Sequence, residues 1–213
     1  MRKLIRKLSD MRGISGFEYR LTDQIADMFK KYCDDVKIDS LGSVIAVKRS
    51  NKPNAPKLMI EAHCDEIGLI VTSITDEGYL TFANVGGVDE RTLPSTEVTV
   101  HGKEDLWGVI GIKPNYLLEQ GKTAKLKELA VDTGLSAEKV KELVAVGDSI
   151  TLAQSVGRLG KKQFSGKSLD DRASVAAIMR VMKNIKDLDI DIDVYAVAAV
   201  QEEVGCRGGK TTA

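Results

Sequence analysis

At 213 residues, 43% hydrophobic and 29% charged, the chain is long enough for one large domain or two small ones around a packed core. Lys plus Arg and Asp plus Glu balance at 31 each, which removes any net pull toward nucleic acid or anionic lipid, and no apolar run approaches the ~20 residues of a bilayer span. The start, "MRKLIRKLSDMRG", is too charged for a signal peptide, and three cysteines without framework spacing (Cys33, Cys64, Cys206) point to the cytoplasm, with neither nucleic acid nor membrane as partner.

In chain order, "RKLIRKLSDM" and "EYRLTDQIADMFKKY" carry apolar residues at helical spacing, broken between them by "RGISG". "VKIDSLGSVIAVK" reads as two strands turning at Ser40–Ser43 on Gly42. "KLMIEAH" is a short continuous apolar strand of the kind buried on both faces of an α/β sheet. From about 70 to 163 the texture changes to short strands punctuated by glycine, such as "TEVTVHG", "WGVIGI" and "GDSITL", as in a small barrel. Set into it is an expected helical stretch, "KTAKLKELAVDTGLSAEKVKELVAVGD", with Ser136 as N-cap of its second part. "DDRASVAAIMRVMKNI" then predicts an amphipathic helix, and "IDIDVYAVAAV" a long apolar strand ending in "QEEVGCRGG". An α/β layer is thus interrupted by a β-rich block and resumes near Ser165.

Three clusters could carry chemistry. His63–Cys64–Asp65–Glu66 follows a strand, and Asp65 emerges on the same side of an extended chain as His63, placed to fix its tautomer. A histidine satisfied at a strand end explains the same residues without a ligand. "KSLDDR", 167–172, precedes a helix that Ser168, Asp170 or Asp171 could simply cap; one aspartate suffices for that, and a second leaves a carboxylate free to bridge cations. "QEEVGCRGG", 201–209, puts adjacent Glu202 and Glu203 beyond the most apolar strand, where α/β sheets collect ligands; the plain alternative is a solvated loop. Cys64 and Cys206 could be thiolate ligands, though a lone cysteine is more often filler. His101, in "VTVHGKED", reads as an exposed hairpin residue. No phosphate-binding "GxxxxGK[ST]" and no G-x-S-x-G nucleophile turn is present.

Taken in order, "AHCDEIG", "SLDDR" and "EEVGCRGG" around the β-rich block resemble the M42 family of dinuclear metallo-aminopeptidases, some of whose members are labelled endoglucanases. "ISGFE", "SLGSVIA", "GGVDERTL", "GVIGIKP", "VDTGLSAEKVKEL" and "VGDSI" extend the likeness over nearly the whole chain. The resemblance implies an α/β, mixed-sheet catalytic domain (1–69 with 164–213) interrupted by a barrel-like dimerisation domain (70–163). It implies two divalent ions, zinc or cobalt, with His63 on one, Glu203 on the other and Asp170 bridging. Asp65 would orient His63, Glu202 would be the general base, and Asp171 would follow a cis peptide bond. Cys64 stands where a bulkier or amide residue is more usual in the family. The implied partners are a peptide substrate, cleaved one N-terminal residue at a time, and further copies of the chain, from dimer to dodecamer.

In the family an aspartate and a histidine ligand lie downstream of the third cluster, and this sequence stops at "RGGKTTA". The chain therefore reads as the N-terminal portion of such an enzyme, expected to be inactive and weakly metal-binding by itself, with "VYAVAAV" left open to strand pairing. Two other classes stay open: a glycoside hydrolase, which adjacent Glu202 and Glu203 beside a histidine fit poorly, and a non-catalytic oligomerisation module.

Overall fold

The computed structural model describes residues 1–112 and 124–213, and within it the chain divides into two units, 1–66 with 155–213 and 67–154. The breaks fall after 66 and 154 rather than after 69 and 163. Residues 155–163 join the first unit because Val156 is buried there and its N–H donates to the Asp10 carboxylate at 3.2 Å. Beyond it, β10 (Gly157–Leu159) and β11 (Gln163–Ser165) form a separate hairpin. The end of "GVIGIKP" and the first residues of "KTAKLKEL" lie outside the described residues.

In the first unit, helices α1 (Arg2–Asp10) and α2 (Tyr19–Phe29) form where apolar spacing predicts them. Leu21, Ile25 and Phe29 recur at four-residue intervals on α2, and all three are buried. Strands β1 (Asp35–Ile38) and β2 (Val44–Lys48) make a hairpin. Gly42 turns it with φ 115°, a left-handed value that favours glycine, while the Asp39 carboxylate accepts the N–H groups of Leu41, Gly42 and Ser43.

Strand β3 (Lys57–His63) is followed, after the second unit, by α4 (Leu169–Ile185) and β12 (Asp193–Ala199). The sheet order is β1-β2-β12-β3, with β12 antiparallel to β2 and parallel to β3. Leu8, Phe29, Ala62, Val175, Met179 and Ala196 share one core between the helices and this sheet, each large side chain contributing about 1.5–3 kcal/mol.

Two strand expectations need correction. "KLMIEAH" is not buried on both faces: β3 lies at the sheet edge among the described residues, with Leu58 47% and Met59 39% exposed. Conversely, "VYAVAAV" is not open to pairing, because β2 and β3 flank β12 and bury Val194 and Ala196–Ala199. A continuous apolar run signals burial without saying which strand takes the middle of the sheet.

The second unit is a closed barrel of β4 (Gly68–Ile74), β5 (Leu80–Val85), β6 (Glu97–His101), β7 (Asp105–Ile112), β8 (Leu129–Asp132) and β9 (Ser149–Leu152), in the order β4-β5-β8-β7-β6-β9. Leu69, Val71, Val98, Val100, Ile110, Val131 and Ile150 fill it. The expected helical stretch is divided. Its "LAVD" is the closing strand β8, and only Ala137–Leu143 forms a helix, α3, on which the Ser136 hydroxyl accepts the N–H of Lys139. Val131 pairs across β5 and β7, so tertiary pairing overrides the local pattern. His101 is not an exposed hairpin residue either: its side chain is 10% exposed, with Nδ1 2.9 Å from Asp105 and Nε2 2.8 Å from the Thr151 hydroxyl. No helix among the described residues is long and apolar enough to cross a membrane.

Candidate metal centre

The parallel pairing of β3 with β12 sets His63 opposite Ala199, and the N–H of Cys64 donates to the Ala199 carbonyl at 2.8 Å. The chain segments leaving the two strands, 63–66 and 200–203, therefore emerge side by side at the carboxyl edge of the sheet. Helix α4 packs on the sheet through Val175, Ala176 and Met179, which brings its first residues to the same edge. Cys64 is fully buried among these core side chains, while His63 points the other way, toward the acidic groups.

His63 is the hub. Its Nε2 lies 3.2 Å from the Asp170 carboxylate and 3.8 Å from that of Glu202. Its Nδ1 lies 3.2 Å from the Asp65 carbonyl and 3.6 Å from the Asp65 carboxylate, so the ring's orientation is fixed from behind. Asp65 itself is wholly buried. It accepts the Ser15 hydroxyl at 2.6 Å and the N–H groups of Glu202 and Glu203 at 3.1 and 3.2 Å. Asp170 is opposite in character, 90% exposed at the start of α4, and the Asp170–Asp171 peptide is cis.

The electrostatics follow from this crowding. Burial draws the His63 pKa down, but hydrogen bonding and charge from Asp65, with Asp170 and Glu202, prevail and push it up to about 9. Burial also works against ionised Asp65, yet its four hydrogen-bond donors hold it below the usual carboxylate range. Glu203 is raised, by burial first; His63 pulls it back, while Asp65, Glu202 and Asp170 add like-charge repulsion. One imidazole thus faces more carboxylates than it can neutralise.

Imidazole nitrogen and carboxylate oxygen are donors suited to divalent zinc or cobalt. Ligand atoms of His63, Asp170 and Asp171 lie within 4.8 Å of one another, as do those of His63, Glu202 and Glu203. All five residues singled out in the sequence, His63, Asp65, Asp170, Glu202 and Glu203, come together at this edge. Cys64 takes no part. Cys206 instead donates its thiol to Glu202 at 3.0 Å.

A supporting network went unread in the sequence. Arg172, fully buried on α4, donates to the carbonyls of Cys64, Leu8, Ser9, Met11 and Gly13 and to the Glu66 carboxylate. Lys167 pairs with Glu66 at 2.8 Å, and Ser168 also donates to Glu66. The adjacent "DDR" offered the signal, since an arginine opening an amphipathic helix on its apolar side needs buried acceptors.

The profile of the M42 glutamyl aminopeptidase family matches residues 42–213. A lysyl aminopeptidase of Pyrococcus furiosus is 35% identical over 98% of this chain, which spans 61% of that relative's length. A solved TET1 peptidase of Pyrococcus horikoshii, described as assembling into a tetrahedron or a large octahedral shell, superposes with a TM-score of 0.88 at 35% identity; 99% of this chain covers 64% of it. A Thermotoga maritima structure titled as an endoglucanase superposes at 0.79 with 33% identity, over 92% of this chain and 58% of its own.

Proposed function

The chain belongs to the M42 glutamyl aminopeptidase family, and from that premise we propose that its edge cluster serves a dinuclear, metal-dependent aminopeptidase reaction. The observation that carries the reading is the convergence of Asp170, Glu202 and Glu203 on the single imidazole of His63, an excess of negative charge that invites cations. Bound there, two divalent ions, zinc or cobalt, would supply Lewis-acid activation of a water and of the scissile carbonyl. His63, its tautomer set by Asp65, together with Asp170 and Glu203 would be the residues that hold the ions. Glu202, 39% exposed beside this set, takes the proton of the attacking water and returns it to the departing amine. A free substrate N-terminus, attracted by the surrounding carboxylates, limits cleavage to one residue at a time.

Three ligand side chains for two ions fall short of the three protein ligands that each catalytic zinc usually has. We therefore expect the 213-residue chain alone to bind metal weakly and to turn over little peptide; tight uptake of two ions in a titration would contradict this. The barrel unit, by the likeness to the assembling TET1 peptidase, would join copies of the chain. Three free cysteines suit a reducing, cytoplasmic setting.

The deciding assay is release of free amino acids from peptides by the protein extended to its relatives' length. Activity should stop with chelator and return with zinc or cobalt. The endoglucanase title of one relative motivates the rival reading. Cellulose hydrolysis that survives chelator and vanishes in Glu202→Gln would favour it instead.

A further inference from the structure

Carbonyls and side chains of the turn bearing Glu202 and Glu203 accept from Gly205, Cys206 and Arg207, but its own N–H groups are held from outside it. Gln201 sits in the left-handed region, at φ 55°, and three successive N–H groups, of Gln201, Glu202 and Glu203, point inward. Each finds a buried carboxylate: Gln201 donates to Glu18 at 3.1 Å, and the other two to the oxygens of Asp65. Asp65 is in turn held by the Ser15 hydroxyl at 2.6 Å. Ser15 and Glu18 belong to one short segment between α1 and α2. That segment is docked on the end of β3: Glu66 N–H donates to the Gly13 carbonyl at 3.0 Å, Ser15 N–H to the Glu66 carbonyl at 3.3 Å, and Gly13 N–H to the Glu66 carboxylate at 3.1 Å.

We propose that residues 13–18 form a positioning strap, in which Ser15 acting through Asp65 and Glu18 acting through Gln201 set where the Glu202–Glu203 turn stands relative to His63. Neither residue touches the ligand edge, so both are positioning residues. The proposal rests on the metal reading above only in that the turn they hold carries Glu202 and Glu203. An unpaired buried N–H is costly, so the turn follows the two carboxylates wherever the strap puts them.

The test is amide hydrogen exchange, followed by NMR, together with Co²⁺ titration of the 213-residue chain, its Ser15→Ala and Ser15→Thr variants, and Glu18→Ala. In Ser15→Ala the Glu202 and Glu203 amides should exchange about tenfold faster and the Co²⁺ Kd should rise about tenfold, as when support behind a ligand is lost. Ser15→Thr, which keeps the hydroxyl, should restore both. In Glu18→Ala the Gln201 amide should be the one released, and this variant serves if Ser15→Ala does not fold. A folded Ser15→Ala with unchanged exchange at 202 and 203 overturns the proposal, as does Ser15→Thr behaving like Ser15→Ala. His63→Ala, titrated alongside, separates the two readings: unchanged Co²⁺ uptake there sinks the metal site, whereas the exchange data judge the strap without any metal.

Discussion

Glu202 and His63 stand 3.8 Å apart with Asp65 behind both, so single side chains carry distinct and separable roles. If Glu202 is the proton carrier, Glu202→Gln in the extended protein should lower kcat by about 10²–10⁴-fold with little change in KM, as measured on a chromogenic aminoacyl substrate. The thiols offer a second check at this scale. Cys206 is exposed, Cys33 is half-buried with burial pushing its thiol up to about 11, and Cys64 is fully buried with its thiol higher still. Alkylation with iodoacetamide near pH 8, mapped by mass spectrometry, should therefore mark Cys206 first, Cys33 slowly, and Cys64 only after unfolding. The clusters around His63, at Asp170–Asp171 and at Glu202–Glu203 were legible as acidic groups at strand ends and a helix start, while the choice of Asp170 and the separate roles came from the resemblance to the family. Ser15 and Glu18 carry no such signature: "ISGFE" becomes part of the site only when folding docks it against Glu66.

At the scale of elements, α4 is tied to the N-terminal segment and to β3 by Arg172, whose fork spans several carbonyls and the Glu66 carboxylate. Lysine cannot reproduce that fork, and Arg172→Met would take a buried donor from the carbonyls of Cys64, Leu8 and Gly13, while Lys167 still pairs with Glu66. Arg172→Met should cost about 1–3 kcal/mol in chemical denaturation, with Arg172→Lys recovering only part. Glu18 gives the pH dependence. Burial raises its pKa above the usual carboxylate value, with hydrogen bonds to Gln201 and neighbouring amides only partly offsetting this. The folded state thus holds that proton more tightly than the unfolded chain. Its contribution is fully present below the unfolded pKa and is lost as pH rises through the folded one. Glu18→Gln keeps an acceptor for Gln201, so the variant should gain stability relative to the parent as pH rises above the unfolded value of about 4.5 and match it in more acidic solution. A constant difference across that rise in pH-resolved thermal melts would rule this out. Helices α1, α2 and α4 were readable from apolar spacing. The places of β3 and β12 were not, since sheet order depends on partners far away in sequence, and β8 hid inside a helix-like pattern until barrel closure claimed it.

Among the described residues, burial is divided between a core joining helices to an open mixed sheet, a smaller cluster of Ile45, Val47, Val197 and Ala199 on that sheet, and the inside of a closed six-strand barrel. The α/β class and the barrel were visible in the shift of texture near residue 70, where continuous apolar runs give way to short strands set between glycines. The unit boundaries were blurred by residues 155–163, whose strand-like pattern does not reveal that Val156 is anchored on Asp10. Everything functional rests on one edge of the sheet becoming a cation site. The most direct measurement is Co²⁺ titration of the 213-residue chain beside its His63→Ala and Glu203→Gln variants, followed by the visible absorption of bound cobalt. The predicted result is weak but saturable binding in the parent, reduced at least tenfold in each variant while the fold is retained. Equal cobalt uptake in all three, or none in a properly folded parent at millimolar metal, would contradict it.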